Sequence, residues 1–528
     1  MIRVSSSIDC LGDYFMRNKT SLLFALLTGM LLVACDSASS IIEEGANIYN
    51  PTSYSIEYDA VRRAEGYSSV MPSKGDVHVL VIPVTFTDYP CSTLPGGCDG
   101  IKSEIQTTLF GTAEQTGWES LTSYYEKSSY GQLHITGFVT DWFTSEFTAL
   151  EIATTEANNP VSSMIAQKAL IWYKATYSDN GQQFDSDADG YIDAIWFVYS
   201  LDYNPTGNGM PEDSSVFWAF TGFNYGSMNI DNPGLFQYAW ASYKFMYEDG
   251  YYERDADGYL IKDANDEYIF HNWTDNEGNI LLDSHTFVHE TGHLMGLDDY
   301  YTYDEVDWGA AGAVDMMDYN VGDHNSYSKA LYGWTTPKVV TGSTKMTIKP
   351  FEENGDFLLL TPAYTETLCD EYLAIEFYTP TVLNEKDSIY PFAGYYPKTF
   401  SVPGIKVYHI DSRVARFRTN ASGVDTLVNY TTVIGARSSS GYTGLAHSNT
   451  ASRSGNPDLK LVHLLESSGE NSFKHGGIAT NETLFTEGMT FGYDTFSNYT
   501  FNSGVTLGYK FTVTSITAEG ATLEIIKL

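Results

Sequence analysis

Basic residues are scarce in this chain of 528 residues: 29 Lys and Arg stand against 67 Asp and Glu, for a formal net charge of -38. A surface of that sign repels a polyanion, so nucleic acid is not an expected partner. Charge of either sign is itself thin at 18%, against 43% hydrophobic residues with 40 tyrosines and 9 tryptophans. That balance excludes a disordered chain and describes a globular one rich in sheet and turn formers. The length predicts two to four domains, of which two folded ones are expected, and no internal repeat is evident. The carboxylate surplus is either a solvated surface or, where acidic residues are spaced to converge, a cation site.

The apolar run near the N-terminus lacks the length and flanks of an ordinary spanning helix. From Met16 it reads MRNKTSLLFALLTGMLLVAC, a basic start and an apolar stretch stopping at Cys35, which predicts a signal peptide. Residues 1–15 read as an upstream extension. Leu32-Val33-Ala34-Cys35 resembles the lipobox of bacterial lipoproteins, which implies acylation of Cys35 and tethering of an exported protein to the outer side of a membrane through its N-terminal lipid. The alternative is a plain secretory signal in which Cys35 is incidental. Export is expected either way.

Cysteine is sparse too. Beyond the signal only Cys91, Cys98 and Cys369 remain, leaving room for one disulfide. Cys91 and Cys98 bracket STLPGG, a turn segment able to close a small disulfide loop in an oxidising compartment; two buried thiols are the alternative.

After Cys35 a polar, Ser-rich stretch, residues 36–74, reads as a linker or a short pro-segment. Val77 to Phe86 is a continuous apolar, β-branched run of the kind that forms a strand buried on both faces. Glu119 to Lys127 has a short helical pattern, Leu133 to Thr136 alternates as a strand, residues 160–177 read as an amphipathic helix, and Ile192 to Tyr199 as a second buried strand. Strands alternating with helices predict an α/β body over residues 75–336. From Pro337 helical periodicity is scarce and short alternating strands prevail, so residues 337–528 are expected to form an all-β domain, a sandwich.

The segment Asp283 to Asp299 reads DSHTFVHETGHLMGLDD and contains HExxH on a helical stretch. Residues four apart share a helix face, so His289 and His293 can aim two imidazoles at one zinc ion while Glu290 flanks it as general base. Gly296 then ends the helix with a left-handed turn that brings the chain back, and Asp299 falls where a third ligand would stand. Asp298 is the alternative, and Glu305 the nearest glutamate for a thermolysin-like arrangement. Three protein ligands leave a position open for water, the chemistry of metal-assisted hydrolysis. Downstream, Asp315-Met316-Met317-Asp318-Tyr319 resembles the methionine turn beneath the zinc of metzincin peptidases, with Met317 as its methionine. Tyr319 stands where some members place a tyrosine that stabilises an oxyanion.

Beyond this motif the chain resembles the immune inhibitor A family of secreted bacterial zinc peptidases, which are metzincin-like and carry HExxHxxGxxD. The resembling stretches are VLVIPVTFTD (Val79 to Asp88), SLTSYYEKSSYGQLHITG (Ser120 to Gly137), FDSDADGYIDAIWFV (Phe184 to Val198) and PGIKVYHID (Pro403 to Asp411). The resemblance implies a zinc peptidase domain over 75–336 with an accessory β-domain behind it, and protein or peptide substrates. The short segment before the first strand departs from secreted relatives and leaves a latency-imposing pro-domain in doubt.

Asp185, Asp187, Asp189 and Asp193, with Gly190 and the Tyr191 carbonyl, form DxDxDGxxD, the first nine positions of an EF-hand-like calcium loop. Position twelve is Trp196 rather than Glu, so the loop is incomplete, and a solvated acidic turn is the alternative. The expected function is a zinc endopeptidase acting on extracellular protein. Its rivals are a catalytically silent adhesin or binding lipoprotein and a zinc amidase acting on cell wall.

Overall fold

The computed structural model describes residues 42–52, 69–155, 161–205, 209–211, 215–224, 226–255, 258–303, 308–419, 425–431, 442–449 and 456–528. Cys35, the signal segment and Glu305 lie outside them. Among the described residues no helix is long and apolar enough to cross a membrane. Part of the stretch read as a linker is built into the body: β1 (Ile48–Tyr49) pairs antiparallel with Val339 and Val340, and Glu44 bridges to Lys345. Ile48 packs on an apolar layer that includes Val340 and Leu358, a burial that a solvated linker would forgo.

The run from Val77 forms β2 (Gly75–Thr85), and its alternate side chains serve two cores. Val77, Val79 and Val81 enter one apolar cluster, while Leu80, Ile82 and Val84 enter another. With both faces covered the strand has no polar side, which explains its unbroken hydrophobicity. Around it lie β3 (Leu133–Val139), β4 (Phe143–Thr144), β5 (Ile195–Tyr199), β6 (Phe220–Phe223) and β7 (Gln237–Ser242). The spatial order is β3-β2-β5-β7-β6, with β4 also beside β2. Neighbours run parallel except β6, which lies antiparallel to β7 at the sheet edge.

Helices cover both faces. α1 (Gly97–Phe110) and α2 (Leu121–Ser128) add Ile101, Ile105, Leu121 and Tyr124 to the Val79 side, while α3 (Ala149–Thr155) and α4 (Val161–Tyr177) add Ile152, Ile165 and Ala169 to the Leu80 side. α1 was not foreseen from the Pro/Gly composition at its start. Cys91 and Cys98 are joined in a disulfide that closes the turn into it, while Cys369 is buried. A two-stranded ribbon, β8 (Gly250–Tyr252) and β9 (Phe270–Asn272), precedes α5 (His285–Leu294). Then come α6 (Met316–Tyr319), α7 (Ser326–Leu331), and the short α8 (Phe351–Asn354) and α9 (Glu385–Ile389).

The C-terminal strands are β10 (Lys338–Val340), β11 (Thr344–Ile348), β12 (Phe357–Leu360), β13 (Glu371–Tyr378), β14 (Gly404–Asp411), β15 (Val414–Thr419), β16 (Asp425–Thr431), β17 (Tyr442–Gly444), β18 (Val462–Leu464), β19 (Thr490–Phe491), β20 (Tyr509–Thr517) and β21 (Gly520–Lys527). They form a six-stranded sheet ordered β1-β10-β12-β13-β14-β18, a four-stranded sheet ordered β11-β21-β20-β19, and a three-stranded one of β15 to β17. Leu358, Ile375 and Val407 of the six-stranded sheet share a cluster with Phe511, Leu523 and Ile525 of the four-stranded one. Neighbouring residues on its strands, Leu359, Ala374, Tyr408 and Ile410, join the cluster that holds Val79, Phe287 and Met317. The apolar core therefore runs unbroken past the boundary drawn at 336/337, and Glu44–Leu528 is one compact unit of mixed α/β structure.

Candidate metal centre and its cleft

Residues 285–292 and Leu294 of α5 are all buried. Such a helix needs partners for backbone groups that water cannot reach, and tyrosines supply them: Tyr125 Oη donates to the Val288 carbonyl at 2.8 Å and Tyr332 Oη to that of Gly292 at 3.0 Å. Gly292 gives the helix close approach to α6, because a Cβ there would stand 2.6 Å from Met317 Sδ. At the C-terminus Gly296 adopts φ +98°, Gly296 N–H donates to His293 O at 2.7 Å and Leu297 N–H to Gly292 O at 3.0 Å. These two crossed bonds are a Schellman cap, and they turn the chain back over its own last turn.

The turn brings Asp299 to the two histidines. Asp299 Oδ1 lies 2.9 Å from His289 Nε2 and 3.2 Å from His293 Nε2, and the two nitrogens are 3.2 Å apart. The other nitrogen of each ring is committed: His289 Nδ1 donates to the Met316 carbonyl at 2.8 Å and His293 Nδ1 to the Leu297 carbonyl at 2.7 Å. In neutral rings both Nε2 atoms then present lone pairs, facing a carboxylate oxygen that is buried without a hydrogen-bond donor. Three acceptors in contact repel one another unless a cation sits among them. A proton serves two of the three; a metal ion serves all. The edges of 2.9 to 3.2 Å are close to the roughly 3.3 Å expected for one face of a tetrahedral zinc site with nitrogen and oxygen donors. The donor set therefore fits zinc. With only protons to share, burial opposes charge on His293 but Asp299 overcomes it and pushes the ring up to about 10. Burial likewise opposes charge on Asp299, which His293 and His289 nonetheless hold well below the usual carboxylate range.

Glu290 is buried beside this triangle, with a carboxylate oxygen within 4.8 Å of the histidine nitrogens. Burial raises its pKa, against the lowering pull of His293 and His289. Thr221 Oγ1, on the edge strand β6, lies 3.2 Å from both Glu290 Oε2 and the Glu290 carbonyl and shares its one proton between them. Asp298 is half-buried and lines a cavity along β6. Tyr303 Oη donates to Asp299 Oδ2. Met317 is fully buried under α5, and Tyr319 stands 40% exposed at the end of α6. Tyr301 lies between His289 and Tyr319, its ring centroid 6.3 Å from the first and 6.4 Å from the second.

Two cavities meet at Glu290 and Tyr301. One, of about 260 Å³, runs along β6 past Phe220, Thr221, Phe223, His293 and Asp299. The other, of about 250 Å³, reaches past His289 to Trp218, Phe245, Glu248, Asp318, Tyr319 and Tyr396. The triangle of His289, His293 and Asp299 thus borders both cavities. Sequence reading passed over Thr221, Tyr301, Tyr303 and the carbonyls of Met316 and Leu297. Only the Tyr/Asp-rich composition after Asp299 hinted at the tyrosines.

Elsewhere, carboxylate oxygens of Asp185, Asp187 and Asp193 lie within 4.8 Å of one another. Asp193 Oδ2 accepts from Ser186 N–H at 2.7 Å, while its Oδ1 is buried without a hydrogen-bond partner among the described residues. Burial raises Asp193 to about 7 and Asp187 to about 6, with neighbouring carboxylates adding to both shifts. Asp189 is outside this trio; its Oδ1 accepts from Tyr191 N–H at 2.9 Å. Gly190 takes φ +90° at the bend, and Trp196, at the twelfth position, is buried in β5 and donates from Nε1 to Thr291 Oγ1 at 3.3 Å. The chain matches no family model, and no curated protein matches it.

Proposed function

We propose that this protein is a zinc-dependent endopeptidase of the immune inhibitor A type, a metzincin-like body with an accessory β-sandwich. The observation that carries the proposal is the triangle of His289 Nε2, His293 Nε2 and Asp299 Oδ1, with both ring tautomers set by backbone carbonyls and Glu290 beside it. Zinc held there would act as a Lewis acid, activating a water and polarising a carbonyl. The Glu290 carboxyl, beside Thr221 and shielded from solvent, takes the proton from the attacking water and delivers it to the leaving amine. The neutral phenol of Tyr319 faces the same space and donates to the developing oxyanion. The edge strand β6 gives an extended peptide a main-chain partner along the cleft. Asp185, Asp187 and Asp193 hold a structural calcium ion, and Cys35 carries the lipid that tethers the exported protein to a membrane.

The test is zinc stoichiometry and casein cleavage, with and without a chelator, for the wild type and Glu290→Ala. One zinc per chain, with chelator-sensitive cleavage absent in the variant, supports the reading. Unchanged cleavage in the variant would overturn the mechanism, and a zinc-free protein with binding activity alone would favour an adhesin.

A further inference from the structure

Of the cleft's two arms, the one beyond His289 has an unusual chemistry. It is about 250 Å³, room for one long side chain rather than a whole ligand, and it opens beside Glu290, Thr286 and Tyr301. Its walls are aromatic. Trp218 stands 47% exposed over Phe245, with ring centroids 5.4 Å apart and planes at 90°, and Tyr203 stacks behind Phe245 at 4.6 Å. Tyr319 and Tyr396 meet edge to face at 5.8 Å on the opposite side. Besides Glu290, two carboxyl groups line it, Glu248 and Asp318, and among the described residues neither Lys nor Arg is part of it. Asp318 is 2% exposed; its Oδ2 accepts from Ala313 N–H at 2.5 Å, and its Oδ1 is buried with no hydrogen-bond partner among the described residues.

We propose that this arm is the subsite for a Lys or Arg side chain of the substrate, next to the scissile bond. The proposal rests on the peptidase reading of the adjacent triangle. An aliphatic side chain entering here would leave the orphaned Asp318 oxygen shut off from water without a partner. An acidic one would add a further carboxyl to Glu248, Asp318 and Glu290. A cationic stem has an apolar length for the Trp218 and Phe245 faces, and its charged head answers both carboxyls while lying against π-faces. Burial pushes Glu248 and Asp318 each up to about 8, with neighbouring carboxylates adding to both shifts.

Quenched peptides that differ only at the residues flanking one bond, cleaved by the zinc-loaded full chain and mapped by mass spectrometry, test it. Arg or Lys on one side of that bond should raise kcat/KM by about tenfold over Leu, as a charge-assisted contact predicts, and Glu248→Gln should shrink that ratio. Cleavage without a basic preference, or a Glu248→Gln variant whose Arg-to-Leu ratio matches the wild type, overturns the subsite and leaves the peptidase standing. Should no peptide be cleaved, the peptidase reading fails by itself. Binding of labelled Arg and Leu peptides to Glu290→Ala protein then decides the pocket: selective Arg binding abolished by Glu248→Gln supports it, and equal binding of the two overturns it.

Discussion

Replacing His285 with Gln should destabilise the protein in a way that fades as the pH rises. His285 opens α5, one turn before His289, and is fully buried between the rings of Trp118 and Phe392, at centroid distances of 3.8 and 4.2 Å. Nδ1 lies 2.7 Å from Asp283 Oδ2 and Nε2 3.3 Å from Asp387 Oδ2. Burial by itself would lower its pKa, but the two aspartates overcome that and push it up to about 10. A histidine raised above its unfolded value of 6.5 contributes stability that is full below about pH 6.5 and is lost as the pH climbs through 10. The shift corresponds to roughly 5 kcal/mol at pH 6, of which about 1 kcal/mol is left at pH 9. At ~2.1 cal/mol/K per residue, the Glu44–Leu528 unit unfolds with an entropy of roughly 1 kcal/mol/K. Scanning calorimetry at pH 6 and pH 9, with chelator throughout so that pH-dependent metal binding adds nothing, should therefore show the gap in Tm between wild type and His285→Gln closing by roughly 3 to 4 °C. A gap of constant width would refute the doubly paired imidazolium.

Two further outcomes concern the cap of α5 and the acidic loop before β5. Gly296→Ala forces a Cβ onto φ +98°, at a cost of about 1 to 2 kcal/mol, and displaces the Leu297 carbonyl that orients His293, so zinc content per chain should fall along with Tm. Full zinc occupancy in the variant would show that the turn does not position the ligand. Calcium at about a hundred times its dissociation constant should stabilise the wild type by about 2.7 kcal/mol, and Asp193→Asn should lose that gain; an equal rise in Tm for both proteins would count against the Asp185, Asp187 and Asp193 site.

Much of the body was legible because its signals are local. Hydrophobic continuity marked β2 and β5, and the amphipathic stretch at 160–177 marked α4, since burial on two faces or on one stripe is written directly into side-chain order. β6 went unread because four residues, FTGF, carry too little pattern, and α1 because its start is disguised by Gly96 and Gly97. Residues 44–49 looked like a linker, as their strand pairing lies some 290 positions away in sequence. The boundary at 336/337 marks a real change in strand pattern, yet residues from both sides share one apolar cluster.

At the centre, the sequence by itself determined that His289, Glu290 and His293 share one helix, and that a glycine at 296 permits the reversal after it. These are matters of helical period and backbone sterics, decided within a dozen residues. Tertiary structure alone decided that Asp299 meets both imidazoles, that Met316 and Leu297 carbonyls set the ring tautomers, and that Thr221 stands beside Glu290. Those partners arrive from other elements or from a turn whose path depends on packing against α6 and β6. Their contacts are a property of how the layers close on one another, which no local period encodes.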